Sequence, residues 1–282
     1  MTAALISNSA SETPGAATWR SVSALSLNAE DATPRGLDVA EETPLAVRYN
    51  GVPHAVMMGT PLDLEDFAVG FSIAEGIASS IDDLKSVVAT PREDGITIDV
   101  VLAAAALHRC LARRRVRALR GQTSCGICGI EDLEQLAPAE LPRVRPAQTT
   151  DCAALRRAAE TLRDRQPLAA RTRGAHAAAW VNPFGEFALV REDVGRHNAL
   201  DKLVGAALRG KVDFSGGFCL ITSRCSYEMV QKAVLAGIPA LVAISAPTAL
   251  AVRVAQATHL TLITLDRKEN FIVYAAPDFT PA

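Results

Sequence analysis

Hydrophobic and polar positions along the chain fall into two textures. Up to about Gly36 the sequence is rich in Ser, Ala, Thr and Pro, with scattered charge and no periodicity, which reads as a mobile tail. Patterning begins at Leu37. Pro44 to Arg48, Asn50-Gly51 and His54 to Met58 spell a hairpin, because Asn-Gly supplies the positive φ angles of a tight turn. Thr60-Pro61-Leu62-Asp63 opens a helix with Phe67, Phe71 and Ala74 on one face and Gly76 as a stop. Ile96 to Leu102 alternates weakly, as a strand does, and His108 to Leu119 reads as a basic helix. A cysteine-containing, glycine-rich segment and a Pro-rich linker, Pro138 to Pro146, follow.

The second half is more regular. Strands are predicted at Glu186–Val190, Phe218–Thr222, Ala240–Ile244, Leu260–Leu265 and Phe271–Tyr274. Helices are predicted at Asn198–Leu208, Tyr227–Ala236 and Ala249–Ala257. Alternation of this kind implies an α/β sheet covered by helices on both faces. The expected organisation is a tail over 1–36, a smaller α+β subdomain over 37–120, a mobile loop and linker over 121–149, and an α/β domain over 150–282.

Composition narrows the function. Basic and acidic residues number 29 and 31, which argues against a large nucleic-acid surface. The one basic cluster, Arg109 to Arg120, reads first as a solvated helix face. No stretch is long and apolar enough to span a membrane, and Met1 to Asn8 lacks the regions of a signal peptide. The expected compartment is the cytoplasm, where thiols stay reduced.

In open α/β sheets ligands sit beyond the carboxyl ends of the strands. Three polar junctions occupy that position: Ser223-Arg224-Cys225-Ser226, Ser245-Ala246-Pro247-Thr248 and Asp266-Arg267-Lys268-Glu269-Asn270. If their strands are parallel, hydroxyls, amides and Arg224 or Arg267 face one crevice suited to phosphate or nucleotide; taken singly, the Ser and Thr residues could equally be helix caps. Arg191 to Asn198, followed by Asp201-Lys202, concentrates charged and amide groups at the end of an apolar strand, where burial without partners is costly. That cluster is read as functional, against a solvated loop in which Asn198 caps the helix. His176, alone among small residues, reads first as a packing histidine, with a role in the site as the alternative.

Of six cysteines only Cys125 and Cys128 are close in sequence. Cys110, Cys152 and Cys219 read as small hydrophobes. Zinc needs about four ligands, and no second Cys-x-x-Cys or histidine pair accompanies the first. A redox pair prefers a helix start inside a βαβ unit. Persulfide carriage needs one nucleophilic thiol in an accessible loop, with nearby positive charge favouring thiolate, and fits best. A structural zinc or oxidoreductase site remains an alternative.

These residues resemble a known family. Thr123-Ser124-Cys125-Gly126-Ile127-Cys128-Gly129, Asp193 to Lys202, Ser223 to Lys232, Ala236-Gly237-Ile238-Pro239 and Ser245 to Thr248 are similar, in order, to motifs of the formate dehydrogenase accessory sulfurtransferases, FdhD. The resemblance covers roughly Thr43 to Tyr274. It implies a larger domain with a cytidine-deaminase-like three-layer sandwich, and a homodimer. It also implies that a cysteine desulfurase donates sulfur as a persulfide on Cys125. The acceptor is then the bis(molybdopterin guanine dinucleotide) molybdenum cofactor of formate dehydrogenase. Cys128 is read either as assisting release by attack on the inner sulfur of Cys125, or as a spare thiol or a loop-shaping residue. The cofactor stretch falls on Leu265, Asp266, Arg267, Lys268, Glu269 and Asn270, with Ser223, Arg224, Ser226, His197 and Asn198 as further expected contacts. The other reading within the family is a cofactor-binding chaperone that carries no sulfur. Zinc deamination is not expected, since His176 is followed by Ala177 and Ala178 rather than the needed Glu.

Overall fold

The computed structural model describes residues 16–27, 32–117, 141–147, 151–266 and 270–276. Cys125, Cys128, Arg267, Lys268 and Glu269 lie outside the described residues, as do the side chains of residues 112–117.

Strands β1 (Trp19–Leu27) and β2 (Ala32–Ala40) pair antiparallel, in a stretch that sequence reads largely as a tail. Their periodicity is silent because little is buried: Leu25 and Leu27 stay 65% and 76% exposed. Arg171 fastens the pair, with its guanidinium 3.2 Å over the Trp19 ring and Nε 2.8 Å from Asp38.

A four-stranded sheet follows, built from β3 (Thr43–Tyr49), β4 (Val52–Gly59), β5 (Leu84–Arg92) and β6 (Gly95–Leu102) in the order β4-β3-β6-β5. The β3–β4 turn is the expected Asn50-Gly51, with φ of 49° and 78°. Leu45, Val47 and Tyr49 alternate inward, as do Ile96, Ile98 and Val100, and they bury Phe67 and Phe71 of α1 (Leu64–Ala74). Helix α2 (Ala104–Arg117) contributes Ala106 and Cys110 to this core.

The larger sheet has six strands in the order β12-β11-β10-β9-β7-β8. They are β7 (His176–Val181), β8 (Phe187–Asp193), β9 (Phe218–Ile221), β10 (Ala240–Ala243), β11 (Thr261–Leu265) and β12 (Phe271–Ala275). Strands β9, β10 and β11 are parallel, as the sequence argument required. One face buries Ala178, Trp180, Ile221, Leu241 and Ala243 beneath α5 (Arg196–Arg209), α6 (Tyr227–Leu235) and α7 (Ala249–Thr258). The opposite face packs Ala177, Ala179, Leu220 and Val242 against Leu155 and Ala158 of α3 (Cys152–Thr161). The short α4 (Pro167–Thr172) leads into β7.

Helix α1 joins the two sheets by lying directly on α5. A Cβ placed on Gly70 would sit 1.7 Å from the Asp201 carbonyl oxygen, and one on Gly205 would sit 1.8 Å from that of Asp66. Only glycine at both positions permits this approach. The contact is flanked by Arg191 Nε, 2.9 Å from Asp66, and by Arg209 Nη1, 2.5 Å from the same carboxylate.

Candidate functional site

Strand register lines the polar junctions along one edge of the large sheet. Ile221, Ala243 and Thr264 share a row across β9, β10 and β11. Ser223, Ser245 and Asp266 each lie two residues beyond it. Ala178 of antiparallel β7 pairs with Ile221, and His176 pairs with Asp193 of β8, so both residues reach the same edge. The row therefore runs Asp266, Ser245, Ser223, His176, Asp193, with helices α5, α6 and α7 starting beside it.

The junctions are tied to one another. Cys225 N donates to Ala246 O at 3.3 Å and Thr248 N donates to Cys225 O at 3.0 Å, zipping the β9–α6 and β10–α7 loops together. Asp266 closes its own loop: its N donates to Asn270 O at 2.8 Å, and its Oδ1 accepts from Asn270 N at 2.9 Å. Thr248 caps α7 by accepting from Ala251 N at 3.2 Å. Ser223 is buried, and its hydroxyl donates to Arg224 O at 3.1 Å, while Arg224 itself is exposed.

The charged run after β8 divides into two roles. Asp193 is wholly buried, and its carboxylate accepts four hydrogen bonds. They come from Gly195 N at 2.7 Å, Thr60 N at 3.0 Å, Asn198 Nδ2 at 3.1 Å and Lys202 Nζ at 2.6 Å. Asn198 Nδ2 also donates to Met58 O at 2.8 Å, and Lys202 Nζ donates to Thr60 O at 2.9 Å. These groups brace the loop against the smaller sheet. Asn198, expected as a cofactor contact, is 3% exposed with its amide nitrogen committed internally, and the α5 N-cap is Gly195 rather than Asn198. Further along α5, Lys232 Nζ lies 2.9 and 3.0 Å from the Asp201 oxygens and 3.3 Å from Glu75. Burial pushes Asp201 up to about 7 against the pull of Lys232.

Arg196 and His197 stand apart from this bracing. Burial, with Arg196 and Lys232 nearby, lowers the His197 imidazole to about 4, so it is neutral at pH 7. His176 is half-buried and also lowered, by burial and then by Arg196, against the opposing charge of Asp193. Sequence placed His197 at the site, read His176 first as packing with a site role as the alternative, and did not single out Arg196 within the charged run. Only the strand pairing of His176 with Asp193 brings that histidine to the edge.

The described cysteines differ sharply in reactivity. Cys110, Cys219 and Cys225 are buried, whereas Cys152 is exposed. Burial pushes the Cys225 thiol up to about 12 and Cys219 further still, so neither offers a thiolate at neutral pH. Among the described residues no helix is long and apolar enough to cross a membrane.

Comparison with known proteins follows the same span. The profile of the FdhD/NarQ family matches residues 40–280. A protein of Bordetella petrii named sulfur carrier protein FdhD is 45% identical over 240 residues, covering 85% of each chain. A protein of the same name from Xanthomonas campestris pv. campestris (strain B100) is 49% identical over 242 residues, covering 85% of this chain and 84% of its own. A crystal structure of a candidate formate dehydrogenase accessory protein from Desulfotalea psychrophila superposes with a TM-score of 0.72. It is 22% identical, and the match covers 93% of this chain and 99% of that one. At that identity it shows the shared fold.

Proposed function

The chain belongs to the FdhD/NarQ family, and on that premise we propose that it is a sulfur carrier serving a formate dehydrogenase. Cys125 is the carrying thiol, a cysteine desulfurase is the donor, and the acceptor is a molybdenum cofactor bearing guanine dinucleotides. The observation that carries this reading is identity of 45–49% over 85% of the chain with proteins named sulfur carriers. Support comes also from the described cysteines: the two whose thiols burial raises, Cys219 and Cys225, are poor sulfur acceptors.

The sulfur steps balance without an external oxidant. Cys125 thiolate attacks the outer sulfur of the donor persulfide, the donor S–S bond breaks, and the donor cysteine leaves as thiolate. Cys125 then holds the transferred sulfur as a persulfide. Cys128 attacks the inner sulfur of Cys125, forming a Cys125–Cys128 disulfide and releasing hydrosulfide to the metal. A dithiol reductant restores the pair before the next turn.

The edge carrying Ser223–Ser226, Ser245–Thr248 and Asp266 suits the cofactor's nucleotide end. The exposed Arg224, the Ser226 hydroxyl and the starts of α6 and α7 can donate, which is the complement a phosphate needs. In this reading the helix–sheet–helix domain is deaminase-like in architecture only, the protein works in the cytoplasm, and two copies associate.

The test is delivery. Protein loaded with radiolabelled sulfur is mixed with formate dehydrogenase purified from cells lacking this chain. Label is expected to move to the dehydrogenase as its activity rises, and Cys125→Ala is expected to support neither. Activation by Cys125→Ala equal to wild type would instead establish the chaperone reading.

A further inference from the structure

Among the described residues Phe184 is the only aromatic side chain left exposed, at 71%. It stands at the tip of the β7–β8 hairpin, and that tip is firmly held. Pro183 presets the turn, Gly185 N closes it onto Asn182 O at 3.0 Å, and Asn182 N donates to Glu186 O at 2.9 Å. Asn182 Oδ1 accepts from Phe184 N and Glu186 N at 2.9 and 3.0 Å. Gly185, at φ 82°, lies against α3, where a Cβ would sit 2.6 Å from the Ala154 carbonyl oxygen. Arg157 Nη1 of α3 donates to Phe184 O at 2.6 Å. A single exposed apolar side chain is ordinary on a protein surface. One whose backbone is already fixed in this way loses little further freedom when a partner covers it.

The surface beside the tip is basic. Arg156 and Arg157 are exposed on α3, and Arg163 and Arg165 are exposed on the turn Leu162–Arg165 that follows it, against Glu160 and Asp164. An exposed aromatic beside arginines has the composition of an interface hot spot, and the excess of positive charge calls for an acidic occupant. A second copy across a two-fold axis would bring the same arginine-bearing helix against itself, so like charges oppose self-association here. Position separates this surface from the polar edge. Strand β7 runs from His176 at that edge to Val181, which pairs with Phe218 at the other end of β9, roughly 17 Å away at about 3.3 Å per residue. The chain that follows the Cys125–Cys128 segment re-enters at this same end. Val144 N donates to Thr258 O at 2.9 Å, just before β11, and Ala147 packs on the cluster containing Leu155 of α3.

We propose that Phe184, with the arginines of α3 and of the turn after it, forms the docking surface for the protein that donates sulfur to Cys125. That partner presents an apolar socket for the ring, rimmed by carboxylates. With the cofactor assigned to the polar edge, the hairpin end is left for the donor, and donor and acceptor do not compete for one surface. The inference rests on the sulfur-carrier reading and goes beyond it by placing the donor.

Binding of a cysteine desulfurase to the full chain, measured by biolayer interferometry, tests this, with sulfur loading of Cys125 by the same desulfurase followed by mass spectrometry. Phe184→Ser keeps the backbone bonds of the turn, and its urea midpoint is expected to match wild type. It is expected to weaken desulfurase binding about tenfold or more, as truncation of a hot-spot aromatic does, while loading at saturating desulfurase stays at the wild-type level. Arg156→Glu is expected to weaken binding severalfold, and added salt to weaken wild type more than this variant. Unchanged desulfurase affinity in Phe184→Ser overturns the docking surface, and so does a loss confined to binding of formate dehydrogenase or to self-association. Wild type that binds the desulfurase through Phe184 yet gains no sulfur would instead overturn the carrier role alone.

Discussion

Replacing Gly70 by Ala separates two opposing effects. Alanine is better than glycine inside a helix by about 1 kcal/mol, so α1 alone is expected to gain from the change. Yet the new Cβ would lie 1.7 Å from the Asp201 carbonyl oxygen, 2.6 Å from its carbon and 2.9 Å from Gly205 N. Ordinary contact begins near 3.4 Å, so α1 and α5 must part by about 1.5 Å or more. Every atom met is backbone, and no rotamer relieves the clash. Overpacking of this kind costs about 1–3 kcal/mol, and the backbone contact places it at the upper end. Subtracting the helix gain leaves a net loss of about 2 kcal/mol. Urea unfolding followed by far-UV circular dichroism measures it, as a lower midpoint at unchanged slope. Parting the helices also disturbs the contacts of Arg191 and Arg209 with Asp66. Unchanged or increased stability would refute the close approach of α1 to α5.

Other consequences follow from the same geometry. Lys202→Met leaves the Asp193 carboxylate buried without its cation and is expected to cost about 3–5 kcal/mol in urea unfolding, with Asp193→Asn in the same chain recovering part of it; a cost below about 1 kcal/mol contradicts the bracing role. His197 titrates near 4 when folded and near 6.5 when unfolded, so as pH falls through that window the unfolded state takes up the proton first. Stability is therefore lost between about pH 6.5 and 4, by up to roughly 3 kcal/mol, and the advantage of wild type over His197→Gln should shrink across it; a constant difference sinks this assignment. Cys225→Ser should leave sulfur loading intact, because the native thiol is buried and raised to about 12, and iodoacetamide should spare Cys225 in the folded protein at pH 7; rapid alkylation there would contradict its burial.

Sequence made much of this legible where burial is one-sided. The Asn50-Gly51 hairpin, α1 and the alternation of β9 to β12 with α6 and α7 all announce themselves through amphipathic or turn patterns. Strand β7 does not. Its run Ala177-Ala178-Ala179 looks neutral, yet it is buried on both faces, where only small side chains let α3 and α5 approach the sheet. That omission hid the pairing that carries His176 to the site. Strands β1 and β2 escaped for the opposite reason, since they bury too little to leave a period. Within the charged run, residue type signalled a cluster but could not sort bracing from binding. The deciding facts are long-range partners, Thr60 and Met58 for Asp193 and Asn198, that no local window contains.

Intact-protein mass spectrometry is the most direct test of Cys125 as the sulfur-carrying thiol. The full chain is incubated with a cysteine desulfurase, pyridoxal phosphate and cysteine, then weighed with and without reductant. Wild type is expected to gain one or more sulfur atoms that reductant removes and that Cys125→Ala lacks, while Cys225→Ser gains as wild type does. No gain in the presence of a demonstrably active desulfurase, or an equal gain by Cys125→Ala, would contradict it.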